Sequence, residues 1–590
     1  MNNLSKLGLA IFLTGFGIFN ASFFLSTYEI RPIHILNYVY DDGKQSLLEN
    51  YLKDVLYLEY ASSFQLAKDL GKSIEQLNQD QQEIYRINIS DINKIISGAN
   101  LASFSWDTAD QIFNSGDVGE FKISTLKSYG SWINGKTYNN EDQLRGDLNN
   151  IALNIEKYEI ISKKGFDRYR IKDLKFDLIR AGNNGPVRSH PWIMIFLTYG
   201  LCIFGALVFH LQGLKEPEGI KNNGMFFSSM ANRGWLGILT GSFLISLYIM
   251  LYYFPEYMTS WVVMLDPLSK LLNGGESGRF FFYGVIYTIA ILVMGVRMMI
   301  KYRGDRYQQF RTVSVMFFQT AFAFLIPEIL VRLNKPYFDF KNIWPLDYDF
   351  FFDTELSKLI DSGALGIFML GWGIALIIVA VPVMVYFFGK RWYCSWVCGC
   401  GGLAETLGDP YRQLSDKTLK AWQIERWMVH GVLVFAIFMT FGVVYTYWTG
   451  QSQFIGINSY AVRESYGFWI GAAFAGVVGT GFYPLMGNRV WCRFGCPLAA
   501  YLGLIQRFKS RFRITTNGGQ CISCGNCSTS CEMGIDVRWY AQRGQNIVRS
   551  SCVGCGVCSS VCPRGVLKLE NGPEEGRFGI AKLIGLKSKI

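Results

Sequence analysis

"ALGIFMLGWGIALIIVAVPVMVYFFGKRWYCSWVC" (364–398) begins as an apolar run and ends in two thiols flanked by cations. About 20 apolar residues suffice for a helix to cross the hydrocarbon of a bilayer. Ala364–Phe387 therefore reads as a span, and Lys390 and Arg391 mark its end. A second stretch, "GNRVWCRFGC" (487–496), repeats the pattern Gly-x-Arg-x-x-Cys-x-x-x-Cys directly after another apolar run, Tyr466–Met486.

Six more such runs lie outward from these two: Leu7–Ser26, Trp192–Leu211, Trp235–Phe254, Phe280–Ile300, Val313–Leu330 and Trp427–Tyr447. Half of the 590 residues are hydrophobic, which is high for a soluble chain. The expected fold is a multi-pass α-helical membrane protein of about eight spans. Arg297 lies close to one span end, where it can snorkel, and Glu328 is an intramembrane acid. Glu328 suits a quinone or proton path, or an ion pair with Arg332 one turn on. The first run has Lys6 before it and no clear small-residue cleavage site after it, so it reads as an uncleaved anchor.

Lys and Arg gather in alternate loops, as in "KYRGDRYQQFR" (301–311) and in the segments after Phe387 and Met486. "FDFKNIWPLDYDFFFDTE" (338–355), on the opposite side, is acidic and aromatic. This asymmetry places both termini in the cytoplasm. The net charge of +11 is mostly this topology signal. No basic stripe or fold motif points to nucleic acid.

Four segments follow. Residues 1–26 form an N-terminal membrane anchor. Residues 27–190 form an α/β periplasmic domain, with helical periodicity over 45–77 and a β-like piece at "GEFKIST" (119–125). It has no Cys and so no disulfide. Residues 191–488 form the transmembrane helical domain with the first C-x3-C motif. Residues 489–590 form a cytoplasmic domain with the second.

Thirteen of the fourteen Cys follow residue 393. "CISCGNCSTSC" (521–531) and "CVGCGVCSSVCP" (552–563) each read C-x2-C-x2-C-x3-C, the bacterial ferredoxin spacing. Three thiolates of each run reach one cubane and the fourth reaches the other cluster. The first [4Fe–4S] cluster is then expected on Cys521, Cys524, Cys527 and Cys562, and the second on Cys552, Cys555, Cys558 and Cys531. Gly525, Gly554 and Gly556 allow the tight turns. A zinc site would use two C-x2-C pairs rather than two runs of four, and the cytoplasm disfavours disulfides. Glu532 follows Cys531 where Pro is usual, which alters the surroundings of the cluster but removes no ligand.

Cys394/Cys398 and Cys492/Cys496 each stand at helical i, i+4 spacing and so share a face at one membrane edge. Arg391, Arg489 and Arg493 would compensate thiolates there. Two readings stand: a third iron–sulfur cluster or another soft metal on these four Cys, or inert thiol pairs packed beside Trp392, Trp396 and Trp491. Cys400 is a spare candidate, and Cys202 reads as packing.

Two C-x3-C motifs at cytoplasmic span ends, followed by two ferredoxin runs, resemble the NosR/NapH group of polyferredoxin membrane proteins. The resemblance covers roughly residues 360–570, and the outer domain and extra spans bring the layout closer to the NosR arm. It implies a protein of the bacterial inner membrane that transfers electrons between a cytoplasmic donor or the quinone pool and a membrane or periplasmic redox partner. It also implies covalent FMN on the outer domain. The nearest string, "SGANLAS" (97–103), has Asn100 where the attachment Thr belongs, so no FMN is expected. The first C-x3-C also lacks the following Pro, having Gly399. His210 and His430 lie at similar depth near cytoplasmic span ends, so a haem between them would not bridge the bilayer, and none is expected. The expected function is an iron–sulfur electron-transfer subunit or oxidoreductase, with quinone-linked activity open. The alternatives are a maturation or metal-handling reductase for a periplasmic metalloenzyme, and a membrane redox sensor.

Overall fold

The computed structural model describes residues 3–106, 112–113, 116–215, 234–450, 453–517 and 520–571. Residues 572–590, the end of the C-terminal segment read from the sequence, lie outside the described residues. The chain divides into two units, one of Met1–Asn20, Trp192–Tyr253 and Leu265–Ile590, the other of Ala21–Pro191 and Phe254–Met264.

In the first unit, seven helices among the described residues are long and apolar enough to cross a membrane: α1 (Asn3–Ser22), α2 (Pro191–Lys215), α3 (Trp235–Tyr253), α4 (Arg279–Lys301), α5 (Arg306–Arg332), α6 (Ala364–Phe388) and α7 (Leu419–Thr449). Local chemistry sets their ends. Asp305 caps α5, accepting from the Tyr307 and Gln308 N–H groups at 2.9 and 3.2 Å. Thr418 caps α7, and Gly450 ends it in the left-handed region at φ +71°. Glycines let α1 and α2 cross closely, because a Cβ on Gly205 would meet the Phe12 backbone N at 2.4 Å.

The eighth stretch departs from expectation. The chain is helical from Ser459 to Gly481 in successive α and π turns, breaks at Phe482, and resumes as a short turn Tyr483–Met486. Its glycines press it against α3: a Cβ on Gly476 would lie 2.6 Å from Tyr252, and one on Gly481 2.5 Å from Ile245. Close packing, not uniform apolar length, shapes this segment. Among the described residues there are thus seven such helices, where about eight spans were expected.

The second unit is helical rather than mixed α/β. Among its described residues, the strands Thr27–Glu29, Glu59–Tyr60 and Asn183–Asn184 form one small antiparallel sheet. "GEFKIST" lies within the helix Asp117–Tyr129, not in a strand. Acidic Asp117 and Glu120 in the first turn and Lys127 in the last suit the helix dipole, and Phe121, Thr125 and Leu126 are buried. The helical stretch 45–77 is two helices, Asp42–Tyr51 and Ser63–Tyr85. Tyr57 at φ +62° and the Ser62 cap break them apart. Asn100, in the flavin-like string, accepts from the Ala102 N–H within its own loop.

Candidate functional site

The first C-x3-C pair is not one helical face. Cys394 ends the short helix Arg391–Cys394, whereas Cys398 is extended and starts the next helix, Gly399–Glu405. The second pair is likewise split between elements: Cys492 sits in a π turn, and Cys496 is extended and caps Pro497–Lys509 with its side chain, which Cys398 does not do for its helix. The Ala499 N–H donates to Cys496 Sγ at 3.4 Å. A helix N-terminus facing sulfur favours thiolate, and this capping, rather than a shared helical face, aims Cys496.

All four thiols are buried in one core. Burial raises the Cys496 pKa, and Cys492, Cys398 and Cys394 raise it further, so the four are electrostatic neighbours. Gly401 makes this approach achievable: a Cβ there would lie 2.0 Å from the Cys394 carbonyl oxygen and 3.1 Å from Arg489 Nη1. Gly401→Ala is expected to destabilise the protein by about 1–3 kcal/mol and to lower its iron content. Thermal unfolding and iron assay check this.

The segment carrying Cys398 enters the bundle instead of resting at its edge. Tyr287, near the middle of α4, donates to the Gly399 carbonyl at 2.6 Å. Gln319, at the middle of α5, donates to the Val397 carbonyl at 2.5 Å. Non-helical backbone at this depth is tolerated only where protein satisfies it, which these two side chains do. Cys400 packs against the same core. Cys202 Sγ lies 3.8 Å from the Phe12 carbonyl, a packing contact.

A buried ionic network surrounds these thiols. Arg489 Nη1 lies 3.7 Å from Cys492 Sγ, while its Nη2 pairs with Glu405 at 2.6 Å and Glu532 at 3.1 Å. Arg412 pairs with Glu405, Glu532 and Asp409, and its Nη1 lies 3.9 Å from Cys555 Sγ. Arg311 pairs with Glu405 at 2.6 Å. Arg297 does not snorkel: it and Lys301 bind Asp409 at 2.7 and 2.8 Å. Burial alone would raise the Glu405 and Asp409 pKa values, but these cations outweigh it and hold both carboxylates below their ordinary range. Five cations thus face three carboxylates, and the surplus positive charge points at sulfur. That balance fits thiolate ligation, which would leave both cation and thiolate compensated. Glu328 pairs elsewhere than expected, accepting from Asn273 at 2.7 Å, while Arg332 donates to the Lys270 and Leu271 carbonyls.

The C-terminal module is closed by an antiparallel strand pair, Phe512–Thr516 with Leu567–Asn571, which brackets both cysteine runs. Gly525, Gly554 and Gly556 take φ +81°, +64° and +74° beside the Cys runs. Cys521, Cys524, Cys527 and Cys562 line one small cavity, and Cys524 is exposed. Burial raises the Cys558 pKa, and Cys555, Cys552 and Cys531 are among the thiols that raise it further. This second set faces the membrane helices. Tyr307 and Gln308 of α5 donate to the Gly554 and Cys555 carbonyls at 2.8 and 2.7 Å, and Ser395 donates to the Val553 carbonyl at 2.8 Å. The thiol sets therefore run from solvent at Cys524, through Cys555, to Cys398 within the bundle.

Aromatic rings continue beyond Gly399. Tyr287 and Tyr283 of α4 lie 5.7 Å apart between ring centroids, Tyr283 and Tyr248 of α3 5.9 Å, and Tyr248 and Tyr252 6.2 Å. Tyr252 is at the end of α3 away from Thr240, which meets Tyr411 beside the ionic network.

A 4Fe-4S binding domain model matches residues 371–418 and 467–515, taking in both C-x3-C pairs. A 4Fe-4S dicluster domain model matches 513–563, taking in both longer runs. With the apolar helices, this defines an iron–sulfur protein of transmembrane character. Two relatives are similar to it: the "Putative electron transport protein YccM" of Escherichia coli K12, 25% identical over 28% of this chain and 47% of the relative, and the "Methylamine utilization ferredoxin-type protein MauN" of Methylobacillus flagellatus, 26% identical over 26% and 52%. The chain spans about half the length of the curated relatives it matches. No solved structure matches.

Sequence reasoning missed Glu405, Asp409, Arg311 and Arg412. A signal existed, because "AETLGDPYR" (404–412) puts two acids directly behind the first thiol pair.

Proposed function

We propose that this protein is a membrane-bound electron carrier in which Cys521, Cys524, Cys527 and Cys562 hold one [4Fe–4S] cluster and Cys552, Cys555, Cys558 and Cys531 hold a second. Cys394, Cys398, Cys492 and Cys496 hold a third iron–sulfur centre. Such clusters, when bound, supply one-electron transfer. The observation that carries this reading is the placement of all three thiol sets, the exposed Cys524 apart, in or against one hydrophobic core that reaches from the ferredoxin module to the middle of the bundle. Arg412 touches sulfur of one set and Arg489 sulfur of another, and both grip Glu532 and Glu405. Buried and hydrogen-bonded, these groups exclude water and hold the ligands in place.

The ferredoxin face lies in the cytoplasm and the helical second unit outside, a reading supported by the Lys and Arg of alternate loops. A cytoplasmic donor reaches the exposed Cys524 side, and electrons exchange with the quinone pool or with a membrane or periplasmic partner. The test uses purified protein in liposomes, reduced from the ferredoxin side with dithionite. A quinone in the bilayer, or added membranes containing a partner, is expected to reoxidise the cluster signals. Reoxidation by neither would reject the reading.

A further inference from the structure

A cavity of about 850 Å³ lies between the first turns of α7, the helix Pro497–Lys509 and the ferredoxin module, with Met533 and Tyr540 on the module side. Four arginines line it: Arg426, Arg493, Arg507 and Arg549. Arg493 is 3% exposed, and although its Nε binds Glu425 at 2.7 Å, its buried Nη2 has no hydrogen-bond partner. Arg426, Arg507 and Arg549 form no ion pair among the described residues. Aromatic faces hold all three instead: Arg426 lies 5.7 Å from Trp422 and 5.8 Å from Trp427, Arg549 5.1 Å from Trp422, and Arg507 5.8 Å from Phe508. Glu425 and Asp536 also line the cavity, but four arginines with Lys390 and Lys417 outnumber them, and three of the arginines have no carboxylate partner; that surplus calls for an outside anion.

The cavity is too large to be the space of a metal centre alone. Of the four C-x3-C thiols only Cys492 lines it. An adjoining groove of about 540 Å³ shares Trp422, Arg426 and Trp427 and continues over Ile424 and Met428. Trp427 is 75% exposed, and Leu419, Ile424 and Met428 are also exposed. Basic pockets at the end of spanning helices, flanked by interfacial Trp, match the charge and polarity of a phospholipid: phosphate among the arginines, acyl chains on the apolar groove.

We propose that this cavity binds an anionic phospholipid, whose headgroup fills the gap between the ferredoxin module and α7 while its chains lie along Ile424 and Trp427. This does not depend on the electron-transfer reading. The full-length protein, purified in mild detergent, is to be examined by native mass spectrometry and by lipid extraction, then titrated with nanodiscs of phosphatidylglycerol or of phosphatidylcholine. Retention of about one anionic phospholipid is expected, with tighter binding to phosphatidylglycerol. At about 1 kcal/mol per basic residue, Arg426→Gln/Arg507→Gln/Arg549→Gln should weaken that binding roughly a hundredfold. The Arg→Lys version of the same triple variant should retain most of it. Unchanged iron content in both variants shows that the fold is intact. Equal binding to both lipids, equal binding by the Gln variant, saturation by inorganic phosphate alone, or recovery of a quinone in place of phospholipid would each overturn the proposal.

Discussion

Cys394→Ala/Cys492→Ala will lose about four iron atoms per chain, falling from about twelve to about eight. The loss is electrostatic as well as coordinative. Removing one thiol from each pair leaves two donors where four stood, too few to retain a cubane. It also leaves Arg489, fully buried, without the sulfur 3.7 Å from its Nη1, although Glu405 and Glu532 still hold its other nitrogen. The C-terminal module keeps all eight cysteines of its two runs and its strand pair, so the signals assigned to it in the proposal should persist. Iron assay and EPR on wild type and variant decide the matter. An unchanged count would remove the third centre and return the C-x3-C thiols to packing; loss of all iron would mean that the module depends on them for folding.

Much of this site is legible in sequence because thiol spacing and apolar length are local properties. The two ferredoxin runs, both C-x3-C motifs and Arg489 could be singled out that way, and the apolar runs within α1 to α7 stand close to the helices found. Long-range pairing was harder to see. Arg297 looked like a snorkelling cation because its partner, Asp409, is far along the chain. "GEFKIST" alternates over too few residues to separate strand from helix, and its capping charges decide the matter. The i, i+4 argument placed the paired thiols near one another but for the wrong reason, since it assumed an unbroken helix where Cys398 and Cys496 begin new ones. Depth was lost with that assumption: a re-entering segment held by Tyr287 and Gln319 has no local signature.

Glu532 stands where a ferredoxin run usually has proline, and the structure gives that departure a physical content. Its side chain is fully buried and pairs with Arg412 at 3.0 Å and Arg489 at 3.1 Å. Carboxylate oxygens of Glu532 and Glu405 lie within 4.8 Å of Cys555 Sγ and of each other. Glu532→Gln removes one negative charge and leaves two buried guanidiniums underpaired, at a cost of about 3 kcal/mol. The larger effect is on electron affinity. Reduction adds negative charge, so deleting a nearby anion favours the reduced state. A unit charge about 5 Å away at an effective dielectric of about 20 is worth roughly 3 kcal/mol, and a one-electron couple moves by about 59 mV per tenfold change. An upward shift on the order of 100 mV is therefore expected in the centre bearing Cys555, and a smaller one at Cys492, reached through Arg489. Glu532→Asp, which keeps the charge, should restore most of the potential even if it restores less of the stability. EPR-monitored redox titration separates these effects. Potentials that stay put in Glu532→Gln while the unfolding temperature falls would reduce Glu532 to a structural strap between Arg412 and Arg489, with no part in setting where the electron rests.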